Sequence, residues 1–205
     1  MKITWLIILA TSIVTYVAFN HSELFSRFRF NPYIIRERKQ WYRFFSYGMI
    51  HADWMHLLVN MFVLYSFGGI VEMFMVGYFG AKGLLYFVLL YVGALFMSVV
   101  PSFEKQKHNI YYNAVGASGA VSAVVFSSII FYPDSKIIFM FIPFPIPSTI
   151  FGIIYLIYSA VMAKRAQDNI GHDAHFWGAV FGVLFTIALK PALFQAFLNS
   201  LSRIF

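Results

Sequence analysis

The sequence predicts an all-α polytopic membrane protein, folded as a bundle of six transmembrane helices. Three observations carry that prediction. Of the 205 residues, 60% are hydrophobic and only 11% charged, whereas soluble domains hold about 25% charged residues. Mean hydropathy is +0.74. The polar residues gather between long apolar runs, the pattern of a chain that crosses a bilayer repeatedly. The length suits one compact membrane domain over residues 1–205.

The first run, Ile3–Phe19, is interrupted only by Thr and Ser. Lys2 precedes it, but no small-x-small cleavage site follows, so it is expected to persist as a helix rather than a signal peptide. The long connection from about 20 to 54 mixes Arg27, Arg29, Arg36 and Arg43 with Phe28, Phe30, Trp41 and Phe44. That blend predicts an element packed at the membrane surface. Met55–Met75 is the second span and carries His56, Asn60 and Glu72. Gly83–Val100 is the third and Val115–Tyr132 the fourth. Pro143, Pro145 and Pro147 break any helix through Ile137–Ile150, which is expected to run extended near the interface. Thr149–Ala163 and Ala174–Leu189 complete the six, both short against the usual ~20 residues.

Composition also excludes classes of chemistry. The chain has no cysteine, which removes disulfides, thiolate metal sites and thiol catalysis. The net charge of +7 is spread through connecting loops, as flanking charges at membrane surfaces are, and predicts no nucleic-acid partner. There is no H-E-x-x-H, and His51 with His56 has the wrong spacing for a helical zinc pair, so neither metal nor cofactor is expected.

Ionisable and amide side chains inside a span are expensive, and each is a functional hypothesis. His56 and Asn60 are four apart and share a helix face. Either could equally be a helix–helix hydrogen-bond group. His175, Gly178, Ala179 and Gly182 fall on one face of the last span, and Ala174, Gly178 and Gly182 repeat every four residues, the small-xxx-small rule for close approach. The fourth span offers Gly116, Gly119, Ala120 and Ala123. Two such faces bring helix axes close, and Ser118 and His175 are expected within hydrogen-bond reach. A serine hydroxyl attacks once a base, usually neutral His, takes its proton. The oxyanion then formed needs preplaced donors, which His56, Asn60 and the Ser118 amide could supply. His172 and Asp173 are expected to point elsewhere, as polar residues at the end of a span. Two other classes compete with this reading. A bis-His haem protein ligated by His56 and His175 leaves Ser118 and Asn60 unexplained. A transporter lacks the paired broken segments.

The set Gly116-Ala117-Ser118-Gly119, His56-x-x-x-Asn60 upstream and Ala174-His175-x-x-Gly178 downstream resembles the rhomboid intramembrane serine proteases. His51, Gly68-Gly69-Ile70-Val71-Glu72 and Tyr42-Arg43-Phe44 extend the resemblance over roughly Trp41 to Gly182. It implies a rhomboid-like bundle cleaving transmembrane segments of other proteins, with Ser118 as nucleophile and His175 as general base. His56, Asn60 and the Ser118 amide would form the oxyanion hole. His51, Arg43 and Glu72 would be structural, with Arg43 and Glu72 anchoring the first loop. A family member that binds membrane helices without cutting them is the alternative. The family commonly carries an aromatic residue four after the nucleophile, stacked on the catalytic His, and here that place is Ser122. Another ring is expected to pack on His175, or the imidazole to be held more loosely.

The resemblance also implies both termini in the cytoplasm and the dyad nearer the outer face, in a bacterial inner membrane if the lack of a soluble domain is a guide. Lys2, Lys82, Lys136, Lys190 and Arg203 would then lie inside. Twice as many basic residues, most of them in the first loop, would lie outside, against the positive-inside rule.

Overall fold

A computed structural model describes residues 3–139, 142–165 and 171–203. The chain begins with α1 (Ile3–Asn20), and three short helices then fold up the first loop: α2 (Ser22–Phe28), α3 (Pro32–Arg38) and α4 (Arg43–Ser46), the last running into a 3₁₀ turn. The long helices α5 (Trp54–Phe79) and α6 (Lys82–Gln106) follow, then α7 (Ser118–Phe131). A hairpin of β1 (Lys136–Phe139) and β2 (Ile142–Pro147) leads into α8 (Ser148–Arg165), α9 (His172–Leu189) and α10 (Ala192–Ser202). α1, α5, α6 and α9 are long and apolar enough to cross a membrane. The structure is a helical membrane bundle, and the protein is integral to the membrane.

α7 is the centre of the bundle. Every residue after Ser118 in this helix is buried, which suits a helix apolar all round. Its 14 residues rise only about 21 Å, short of the ~30 Å hydrocarbon core. A chain segment can leave helical form at membrane depth only where protein satisfies its backbone, and the surrounding helices and first loop do that here. Small residues let the neighbours come near. A Cβ at Gly178 would lie 2.7 Å from the carbonyl carbon of Gly119, and one at Gly182 2.7 Å from Ala123 Cα. α7 and α9 therefore meet backbone to backbone.

Several boundaries differ from the sequence reading. α7 starts at Ser118, three residues later than expected, because Gly116 has φ +109° and cannot continue a helix. α5 runs past Met75 to Phe79 and stops at Gly80, φ +59°. α6 continues through Pro101 to Gln106. The lost N–H is offset by tertiary contacts, since Ser102 is buried and the Phe103 ring packs 5.3 Å from that of Phe44. The region after α7 is extended, as expected, but pairs as an antiparallel hairpin. Alternate residues of a strand turn their N–H groups to one side, so prolines at 143, 145 and 147 remove donors from a single edge. α10, amphipathic and tied to the β1 approach by Arg203 and Asp134 at 2.7 Å, was not anticipated.

Candidate active site

The segment before α7 is held in place by the first loop. Phe30 and Ala114 exchange backbone hydrogen bonds of 2.9 and 3.0 Å, and the Gly116 N–H donates to the Tyr47 carbonyl at 2.9 Å. Asn31 Nδ2 donates to the Ile110 carbonyl at 3.0 Å and to Asn113 Oδ1 at 3.1 Å. Ser118 follows as the first residue of α7 and is half-buried. The helix begins without a side-chain cap, and its first internal bond is Val121 N–H to the Ala117 carbonyl at 2.9 Å. The amides of the first turn thus have no intrahelical acceptor. They sit at the positive end of the helix dipole, an arrangement suited to negative charge.

His51 and His56 line the approach to this turn, at Ala117 and Gly116, and Asn60 follows His56 one turn along α5. The buried His51 lies just ahead of α5, and its Nε2 accepts from the Ala117 N–H at 3.4 Å. Nδ1 therefore carries the proton and donates to Thr15 Oγ1 at 3.1 Å, and that hydroxyl donates to the Met49 carbonyl at 3.0 Å. Burial, with His56 beside it, pushes the His51 imidazole down to about 3, so it stays neutral. The His56 ring meets it edge-on at 4.9 Å. Gly116 is needed twice over, because a Cβ there would also fall 2.7 Å from His56 Nε2. Asp53 caps α5, accepting from the His56 N–H at 2.7 Å, and Asn60 Nδ2 donates to the His56 carbonyl at 2.8 Å.

α9 brings the turn that bears His175 against α7. A Cβ at Gly119 would lie 3.1 Å from the Ala174 carbonyl oxygen, and Gly178 presses on Gly119 itself. The turn bearing His175 thus packs beside the residue next to Ser118. The Tyr155 ring of α8 stacks on the His175 imidazole, with centroids 6.4 Å apart and planes 27° apart. The hydroxyl of Tyr155 hydrogen-bonds Ser122 at 2.9 Å. The ring missing at position 122 is thus present from another helix, and no sequence motif marked it. His172 departs from the expectation that it points elsewhere. It is buried, and its ring lies 5.9 Å from that of His175 and 5.5 Å from that of Tyr158, because residues three apart share a helix face. Asp173 does point away, to Lys105 at 2.8 Å.

Arg43 and Glu72 do separate jobs. The buried Arg43 guanidinium donates to Gln40 Oε1 at 2.7 Å and to the carbonyls of Arg29 at 2.7 Å and Ser26 at 3.0 Å. It therefore ties α4 to the carbonyl end of α2, where a cation is favoured. Glu72 does not anchor the first loop. It accepts from both the N–H and the hydroxyl of Thr4, satisfying the first turn of α1. Among the described residues, no three His, Asp or Glu side chains gather to hold a metal ion.

The family model for the rhomboid domain matches residues 38–192, well over half of the chain. No curated protein matches it.

Proposed function

Because the chain belongs to the rhomboid family, we propose that it is an intramembrane serine endopeptidase that cleaves transmembrane segments of other membrane proteins. In this reading Ser118 is the nucleophile and His175 takes its proton, then returns it to the leaving amine. The Ser118 amide, His56 and Asn60 receive the oxyanion. The positive end of α7 adds to that stabilisation. α7 and α8 complete six crossings, with both termini in the cytoplasm.

The observation that supports this reading most directly is the backbone contact of Gly119 with Ala174 and Gly178. It sets the turn of His175 beside the first turn of α7. A helix-binding role without catalysis would not require a histidine beside an uncapped helix start. Treatment with a fluorophosphonate, followed by peptide mass spectrometry, tests the reading. A covalent adduct on Ser118 that is lost in His175→Ala is expected. Absence of any adduct on wild type would leave a non-proteolytic, helix-binding member of the family.

A further inference from the structure

We propose that Tyr155, anchored by Ser122, is the positioning residue that fixes the His175 imidazole for proton transfer. The inference rests on the protease reading above and adds a residue on a helix that carries none of the site motifs.

Ser122 stands one turn after Ser118, on the same face of α7. The Tyr155 ring of α8 reaches both the Ser122 hydroxyl and the His175 imidazole. Three contacts fix that ring. Its hydroxyl bonds Ser122 at 2.9 Å, and Phe126 and Phe151 pack on it with centroids 5.6 and 5.8 Å away. A tyrosine has two side-chain torsions, and a ring wedged between neighbours with its hydroxyl tied has lost both freedoms. It therefore offers a fixed wall to the imidazole, at 6.4 Å and 27°, an offset stack. His172 closes the neighbouring side edge-on at 5.9 Å. A base transfers a proton efficiently only when its nitrogen is held in line with the donor, and the wall restricts rotation about the torsion that swings that nitrogen. Ser122 and Tyr155 act as a pair: the hydroxyl–hydroxyl bond sets the depth of the ring.

The test uses the full chain in detergent with the variants Tyr155→Leu, Tyr155→Phe and Ser122→Ala, each checked for wild-type Tm and monodispersity. Two rates are read: inactivation by a fluorophosphonate, and kcat and KM on a transmembrane reporter. Tyr155→Leu should lower both the inactivation rate and kcat by about ten-fold with KM within about two-fold, because only alignment of the base is lost. Tyr155→Phe and Ser122→Ala each keep the ring and lose the same hydroxyl bond, so both should fall about two- to three-fold below wild type in kcat. A well-folded Tyr155→Leu that matches wild type in both rates overturns the inference. So does a loss confined to KM, which would make Tyr155 a substrate contact. If Tyr155→Leu does not fold, the decision passes to Ser122→Ala and Tyr155→Phe, and parity of both with wild type in kcat overturns it. Wild type inert to the reagent defeats the protease reading itself, and this inference with it, a result distinct from an active wild type with indifferent variants.

Discussion

The Ala117 amide donates to Nε2 of His51 at 3.4 Å, joining the residue before Ser118 to one that precedes α5. The bond works only while the imidazole is neutral, since a protonated ring has no acceptor nitrogen. Burial and the adjacent His56 hold it so, pushing its pKa from 6.5 to about 3. A group whose folded pKa is depressed contributes stability above its unfolded pKa and loses it as pH falls. His51 therefore supports the fold fully above about pH 6.5 and progressively less toward about 3, with a limiting slope of about 1.4 kcal/mol per pH unit. Thermal unfolding of wild type and His51→Gln in detergent should show a gap at pH 7.5 that narrows at pH 4.5. A gap independent of pH would mean that His51 is not held neutral.

Gly178 tests the helix contact on which the site depends. Its absent Cβ would lie 2.7 Å from the carbonyl carbon of Gly119, and backbone cannot swing aside. Gly178→Ala should therefore separate α7 from α9, costing about 1–3 kcal/mol of stability and more than about ten-fold in kcat. A variant with unchanged Tm and unchanged kcat would show that α7 and α9 are not in backbone contact.

Asn60 gives one N–H to the His56 carbonyl, at 2.8 Å, and in the proposed reading its second N–H meets the developing charge. Asn60→Ala should lower kcat by about ten- to a thousand-fold with a much smaller change in KM. Steady-state kinetics on a transmembrane reporter separate the two. An effect on KM alone would remove Asn60 from the oxyanion hole.

Orientation is testable because the chain has no native cysteine. Single cysteines at Glu104 and Asp134 report opposite ends of the bundle, the first beside Lys107 near the start of the α7 approach and the second beside Arg203. A membrane-impermeant thiol reagent on intact cells should label position 104 and spare position 134. Reversed labelling would show that the positive-inside rule, and not the family arrangement, sets the topology.

Much of the site was legible because spacing in the sequence maps directly onto helix faces. Ala174, Gly178 and Gly182 could be read as a contact stripe, and the structure packs Gly178 and Gly182 on α7. His56 and Asn60 are joined through the His56 carbonyl one turn apart, as a four-residue spacing requires. What escaped depended on tertiary structure. Tyr155 looked like any tyrosine in an apolar run, since its value comes from Ser122 on another helix. The start of α7 was hidden because Gly116 and Ala117 are as apolar as the helix they precede, and only the φ of Gly116 separates them. His172 faces His175, three residues on, against the expectation that it points away. Glu72 binds Thr4 rather than the first loop, and nothing in its neighbourhood of sequence points to Thr4.

The measurement that bears most directly on the central claim is cleavage of a generic transmembrane reporter by the purified chain in liposomes, wild type against Ser118→Ala. The substitution removes one hydroxyl at the start of α7 and little packing, so the variant should keep its Tm. Wild type should cut the reporter within its membrane segment, and Ser118→Ala should retain less than about 1% of that rate, the loss expected when a nucleophile is removed. Equal cleavage by both proteins, or none by either, would contradict the assignment of Ser118 as the nucleophile of an intramembrane protease.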